Sequence, residues 1–209
     1  MSELFVGITT WDDAPFVRRA VAALRRTAPD IDMRIVAWDN GSQRETLAAL
    51  EDSGVPYYSQ QYPQGDALNA LLELSDAPYT LLMHSDVFML HERWFPMLRA
   101  CMDARELVLI SPEDIGLGNM NRRALGTGMP ERSFMLFDTA KIKTCRTVRW
   151  GRFLEYLVRG KKINSFRRLD FYSNHITHRL PALLSAHGFT WQMLQPLSSP
   201  REASPWFTL

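Results

Sequence analysis

The chain has 209 residues, enough to bury the core of one sizeable domain, and its 24 Lys and Arg against 23 Asp and Glu leave a formal net charge of +1. So even a balance excludes a global field drawing the protein to nucleic acid or to an anionic membrane; any polyanion must be recognised locally. The two cysteines, Cys101 and Cys145, lack metal-site spacing and the density of a secreted disulfide scaffold. Together with a start that lacks a basic and then apolar leader, and no apolar run of the roughly 18 residues a spanning helix needs, they predict a cytoplasmic protein without a transmembrane segment.

Leu4 to Thr9 is a short β-rich run, closed by Thr10-Trp11-Asp12-Asp13-Ala14-Pro15, where Pro15 fits the first turn of a helix. Phe16, Val17, Ala20, Val21 and Leu24 recur at spacings of three and four, which puts them on one face of that helix; it ends before Pro29. Met33 to Trp38 reads as the second strand, Asp39 to Ser42 as its loop, and Glu45 to Ser53 as a helix stopped by Gly54. A third strand is expected over Val55 to Ser59, a helix over Gly65 to Leu74 with Ala67, Leu68, Leu71 and Leu72 apolar, and a fourth strand over Tyr79 to Met83. This alternation predicts an α/β fold with a central, mostly parallel sheet flanked by helices.

The second half is less regular. Trp94 to Cys101 reads as helix, Leu107 to Ser111 as strand, and Pro112 to Glu131 as a long loop of the kind that often serves function. Ser133 to Asp138 reads as a strand and Thr147 to Val158 as a helix. Arg159, Lys161, Lys162, Arg167 and Arg168 form a local basic cluster, either a solvated surface or a clamp that screens diphosphate charge or meets an anionic acceptor. Asp170 to His187 reads as helical, kinked or restarted at Pro181, and the tail from Pro196 as irregular. One domain is expected over residues 1–209, with a more regular half to about residue 100 and a less regular half over about 101–195.

Chemistry concentrates at two strand ends. Asp39-Asn40-Gly41-Ser42 has the composition of a tight turn capping the next helix, yet a carboxylate ending a buried strand can also accept the N3–H of a uracil-type base. His84-Ser85-Asp86 follows the fourth strand, where one carboxylate can hold Mg²⁺ or Mn²⁺ while substrate phosphates supply further oxygens. Trp11 and Trp38 can each be core aromatics or ligand contacts, and Asn69 can simply satisfy its own helix. His175 and His178 share a helix face but lack a third ligand of zinc-site spacing.

The strand ending Thr9-Thr10-Trp11, the strand ending Asp39-Asn40-Gly41-Ser42, the segment Gly65-Asp66-Ala67-Leu68-Asn69 and the run Tyr79 to Asp86 together resemble family-2 glycosyltransferases of the GT-A fold, a Rossmann-like arrangement. The resemblance covers residues 4 to about 100. It implies that Thr9 and Trp11 line the nucleobase pocket, that Asp39 binds the base, and that Gly65, Asp66 and Asn69 lie near base or ribose. It further implies that Ser85 lies in the nucleotide site, and that Asp86 holds the metal beside His84, which stands where the family usually has a first acidic residue. A late carboxylate, here Asp170, would take the acceptor's proton, although Asp170 can equally be the N-cap of the helix that follows it, with Glu113 and Asp114 as competitors and His178 or His187 as a late metal contact. The activity implied is metal-dependent transfer, with inversion, of a sugar from a nucleotide-diphosphate donor, a UDP-sugar favoured, to an unidentified hydroxyl acceptor. Two other readings stand beside it. A GT-A-like binding module without catalysis would also fit the non-standard His84-Ser85-Asp86, and a nucleotidyltransferase is disfavoured because the acidic Trp11-Asp12-Asp13 loop replaces a Gly-rich, Lys-bearing one.

Overall fold

The computed structural model describes residues 2–62, 64–112, 130, 133–145 and 176–194. In chain order the elements are β1 (Leu4–Thr10), α1 (Ala14–Thr27), β2 (Met33–Asp39), α2 (Arg44–Asp52), β3 (Tyr57–Ser59), α3 (Gln64–Leu74) and β4 (Tyr79–His84). They continue with α4 (Trp94–Arg105), β5 (Leu107–Pro112), β6 (Phe134–Asp138), α5 (Thr139–Thr144), α6 (Ile176–Ala186) and β7 (Thr190–Leu194). The strands form one seven-stranded sheet in the order β3-β2-β1-β4-β6-β5-β7. Pairings β1–β2, β1–β4, β2–β3 and β5–β7 are parallel; β6 runs antiparallel to both its neighbours, β4 and β5.

Strand alternation sorts the core into two layers. Leu4, Val6 and Ile8 of β1 point to one face, where Val17, Ala20, Val21 and Leu24 of α1 and Trp94, Phe95, Leu98 and Met102 of α4 cover them. Phe5 points to the other face, where Leu68, Leu71 and Leu72 of α3, Ile142 of α5 and Leu184 of α6 pack. Both faces are covered by helices, so the central strands are largely apolar, as parallel strands between two helical layers must be. At Gly7 the α3 layer comes so close that an added Cβ would lie 2.9 Å from Leu82 Cδ2 and 3.0 Å from Leu71 Cβ. Glycine is what lets α3 sit down on β1 there.

Several boundaries differ from expectation. β3 begins at Tyr57 rather than Val55, α4 runs on to Arg105, and α6 continues through Pro181 without restarting. Phe16 lies at the open end of α1 and stays 39% exposed, its ring 6.3 Å from that of Phe88. β7, a short strand of mixed polarity after Gly188, has no counterpart in the sequence reading. The helix expected over Thr147 to Val158, the Arg159–Arg168 cluster, most of the Pro112–Glu131 loop and the tail from Pro196 lie outside the described residues. Among the described residues no helix is long and apolar enough to cross a membrane.

Candidate functional site at the carboxyl edge of the sheet

From β1 the chain leaves through α1 to β2 on one side, and it returns through α3 to β4 on the other. The order therefore reverses between β1 and β4, and in an open α/β sheet such a switch point leaves a crevice outside the carboxyl ends of the two strands. Thr9 and His84 are register partners at that spot, and the N–H of Ser85 donates to the Thr9 carbonyl at 3.0 Å. Three loops frame the crevice: Trp11–Asp13 after β1, Asn40–Gln43 after β2, and Ser85–Asp86 after β4.

Asp39 ends β2 with no exposed surface. Its Oδ2 accepts the Ser59 hydroxyl at 2.7 Å and the N–H groups of Gly41 and Ser42 at 3.2 Å each; Oδ1 receives only a 3.3 Å contact from Ser42 N–H. The carboxylate thus pins the turn that follows it. Gly41 takes φ +85°, a left-handed conformation that suits glycine. The Asn40 side chain extends the bracing by accepting Tyr62 N–H at 2.6 Å. Trp38 is a core aromatic, sandwiched between Tyr58 and Tyr62 with ring centroids 5.6 and 5.2 Å away, and its indole N–H donates to the Gln60 carbonyl at 3.0 Å.

Trp11 has the opposite character. It is 66% exposed on the loop at the switch point, a large aromatic surface open to a ligand. Thr9 is buried at the end of β1, Gly65 is buried in the first turn of α3 beside Asp66, and Asn69 donates to the Gly65 carbonyl at 2.9 Å within that helix. Of the two strand-end groups after β4, His84 is half-buried and Asp86 exposed. Among the described residues Asp86 makes no hydrogen bond or ion pair, and no three His, Cys, Asp or Glu side chains are grouped to hold a cation by protein alone. An open carboxylate of this kind is a hard oxygen donor that fits a divalent cation whose remaining ligands come from a phosphate-bearing substrate.

The structure thus brings Thr9, Trp11, His84, Ser85 and Asp86 to one crevice, with Asp39 buried at its β2 side and Gly65 and Asn69 in the first turns of α3. Asp170, Glu113, Asp114 and His175 lie outside the described residues, and His187 follows α6, its ring stacked 6.1 Å from Phe189. Sequence reasoning gave no role to Asp12 and Asp13, whose side chains tie the three loops together. Asp12 Oδ1 accepts Gln43 N–H at 2.7 Å, and Asp13 Oδ2 accepts the Ser85 hydroxyl at 2.8 Å.

Residues 5–157 match the family described as glycosyl transferase family 2. The chain belongs to that family. No curated protein matches the chain in sequence. Among solved structures, the family-2 chain is similar to the mannosyltransferase PcManGT of Pyrobaculum calidifontis, solved with GDP-Man and Mn²⁺: TM-score 0.61, 12% identity, 96% of this chain and 58% of that one. It is also similar to glucosyl-3-phosphoglycerate synthase of Mycobacterium tuberculosis in complex with phosphoglyceric acid, with TM-score 0.56 and 14% identity over 90% of this chain and 81% of that one. TarS 1-349 of S. aureus in complex with UDP-GlcNAc gives TM-score 0.51 and 16% identity over 68% of this chain and 47% of that one. The chain therefore spans about half the length of PcManGT and TarS 1-349. These likenesses establish the GT-A fold.

Proposed function

We propose that this protein transfers a sugar, with inversion, from a nucleotide-diphosphate donor to an acceptor hydroxyl, with Mn²⁺ or Mg²⁺ bound alongside the donor. The observation that carries the reading is the pairing, at one switch point, of an exposed aromatic, Trp11, with an exposed carboxylate, Asp86. Trp11 offers a face on which a nucleobase can stack, and Asp86 offers an oxygen for the cation. Family membership, a mannosyltransferase neighbour solved with GDP-Man and Mn²⁺ and another neighbour solved with UDP-GlcNAc support the same reading.

When bound, the cation would be held by Asp86 beside His84 and would neutralise charge on the departing diphosphate. Thr9 and Trp11 line the base, with Ser85, Gly65, Asp66 and Asn69 nearby. Asp39, with no exposed surface, fixes the base-side turn through Ser59, Gly41 and Ser42. A UDP-sugar is favoured as the donor, in line with neighbours solved with UDP and with UDP-GlcNAc. In the transfer, the acceptor oxygen bonds to the anomeric carbon as the bond from that carbon to the diphosphate oxygen breaks. The pair of electrons leaves with the nucleoside diphosphate, and Asp170 takes the hydroxyl proton.

A thermal-shift panel of UDP, GDP and their sugars, with and without Mn²⁺, followed by donor turnover with whichever sugar nucleotide stabilises the protein, tests the proposal. Selective stabilisation that Asp86→Ala abolishes only in Mn²⁺, together with release of the nucleoside diphosphate, is the expected result. Nucleotide binding without turnover would identify a binding module instead, and neither binding nor turnover would remove the donor site altogether.

A further inference from the structure

The Trp11–Asp13 loop spends its two carboxylates on two different neighbours. Asp12 and the start of α2 exchange bonds across 30 residues of sequence: Asp12 N–H donates to Ser42 Oγ at 2.8 Å, while Gln43 N–H donates to Asp12 Oδ1 at 2.7 Å. Asp12 holds φ +52°, the left-handed region that costs most L-residues about 1–2 kcal/mol and that Asp enters most readily after Gly and Asn. Asp13 is the N-cap of α1, where an Asp side chain ordinarily accepts a helix N–H. It makes no such bond; its carboxylate instead accepts the hydroxyl of Ser85, 72 residues away. Ser85 is fully buried between half-buried His84 and exposed Asp86, so its hydroxyl is the handle by which that turn is held.

Resting on the donor reading above, we propose that Asp12 and Asp13 are positioning residues that divide the donor site between them: Asp12 fixes the nucleobase-side loop, and Asp13, through Ser85, fixes the turn that presents Asp86 to the cation. Trp11 immediately precedes Asp12, so the Asp12 anchor sets its place. A group that orients a metal ligand without touching the metal commonly changes metal affinity by about 10- to 100-fold when removed. Removing the Asp13 link should therefore act only where the metal acts. Removing the Asp12 link should act on nucleotide binding whether or not metal is present.

Calorimetric titration of the full chain with UDP, or with GDP if the panel selects it, in chelator and again in Mn²⁺ separates the two roles. Asp13→Ala is expected to weaken binding about tenfold in Mn²⁺ and to leave metal-free binding unchanged, and Ser85→Ala to weaken binding in Mn²⁺ by a similar factor. Asp13→Asn, which keeps an acceptor for the Ser85 hydroxyl, restores the wild-type pattern. Asp12→Gly keeps the backbone conformation, loses the acceptor and weakens binding by a similar factor in both conditions, while Asp12→Asn does not. Ser85→Ala tests the same link from its other end should Asp13→Ala fold poorly. Equal weakening by Asp13→Ala in both conditions, no weakening, or an Asp13→Asn as impaired as Asp13→Ala would each overturn the clip, the last by making the charge itself the requirement. A wild-type protein that binds no nucleoside diphosphate in either condition overturns the donor reading instead, and the division of labour falls with it.

Discussion

Removal of the Asp39 carboxylate should destabilise the protein through the turn that it organises, before any substrate is considered. In Asp39→Ala three donors lose their acceptor: the Ser59 hydroxyl at 2.7 Å and the N–H groups of Gly41 and Ser42 at 3.2 Å. A hydrogen bond to a charged group contributes about 1.5–3 kcal/mol net, and the short Ser59 bond belongs in that range; the two longer ones belong near the low end of ordinary bonds, about 0.5 kcal/mol each. Ser59 and Gly41 are exposed, so water replaces part of what is lost, while Ser42 is half-buried. The net expectation is about 2–3 kcal/mol. For a chain of this length that corresponds to roughly 4–12 °C in melting temperature. Urea unfolding of wild type, Asp39→Ala, Ser59→Ala and the double variant measures it, and the cycle isolates the pair, with a coupling of at least about 1 kcal/mol expected. Single variants within about 0.5 kcal/mol of wild type, or strict additivity in the double variant, would refute the claim that the carboxylate holds this turn.

Gly7→Ala places a methyl group 3.0 Å from Leu71 Cβ, an atom that cannot move without α3, so a loss of about 1–3 kcal/mol in the same urea assay is expected. Trp11→Ala should leave the unfolding midpoint in place, because the side chain is 66% exposed, while weakening nucleoside diphosphate binding by the about 1–3 kcal/mol that base stacking on an aromatic contributes; calorimetry reads it. Burial, followed by the hydrogen bond to Asp103, pushes the Tyr79 hydroxyl up to about 12 from 10.0. Below pH 10 it is neutral in both folded and unfolded chains; between pH 10 and 12 the unfolded chain ionises first, so stability falls through that window, and Tyr79→Phe should flatten the difference in a pH series of unfolding midpoints.

The first half of the fold was legible because each strand ends where its apolar run meets a turn signal, and because α1 shows its buried face directly in Val17, Ala20, Val21 and Leu24. The strands themselves carried no facing information: buried on both sides, Leu4 to Ile8 are uniformly apolar, and only the structure divides them between the α1 and α3 layers. β7 was missed for the opposite reason. Thr190–Leu194 is partly exposed and mixed in polarity, although Gly188, at φ +74°, marks the stop that precedes it. At the site, residue types at strand ends pointed to Asp39 and Asp86, while the distinction between a buried, bonded carboxylate and an open one required coordinates. The Asp13–Ser85 and Asp12–Gln43 links were invisible, since they join residues 72 and 31 positions apart with no local pattern to announce them.

The antiparallel placement of β6 gives this arrangement its asymmetry. β3, β2, β1 and β4 run parallel and deliver their carboxyl ends to one edge; β6, beside β4, presents its amino end there instead, with Ser133 accepting His84 N–H at 3.0 Å. The row of carboxyl-end loops is interrupted at β6 and resumes with β5 and β7, which run in the same direction as β4. Whatever occupies the crevice is therefore framed by adjacent carboxyl-end loops on the β1 side, whereas directly beside β4 the amino end of β6 stands in place of such a loop. On the proposed reading, the half of the site that holds the nucleotide is built on parallel strands cross-braced by Asp12, Asp13 and Asp39. On the same reading the half that meets the acceptor contributes none of those braces. That physical division is why strand-end residues mark the donor chemistry so much more clearly than any residue marks the acceptor.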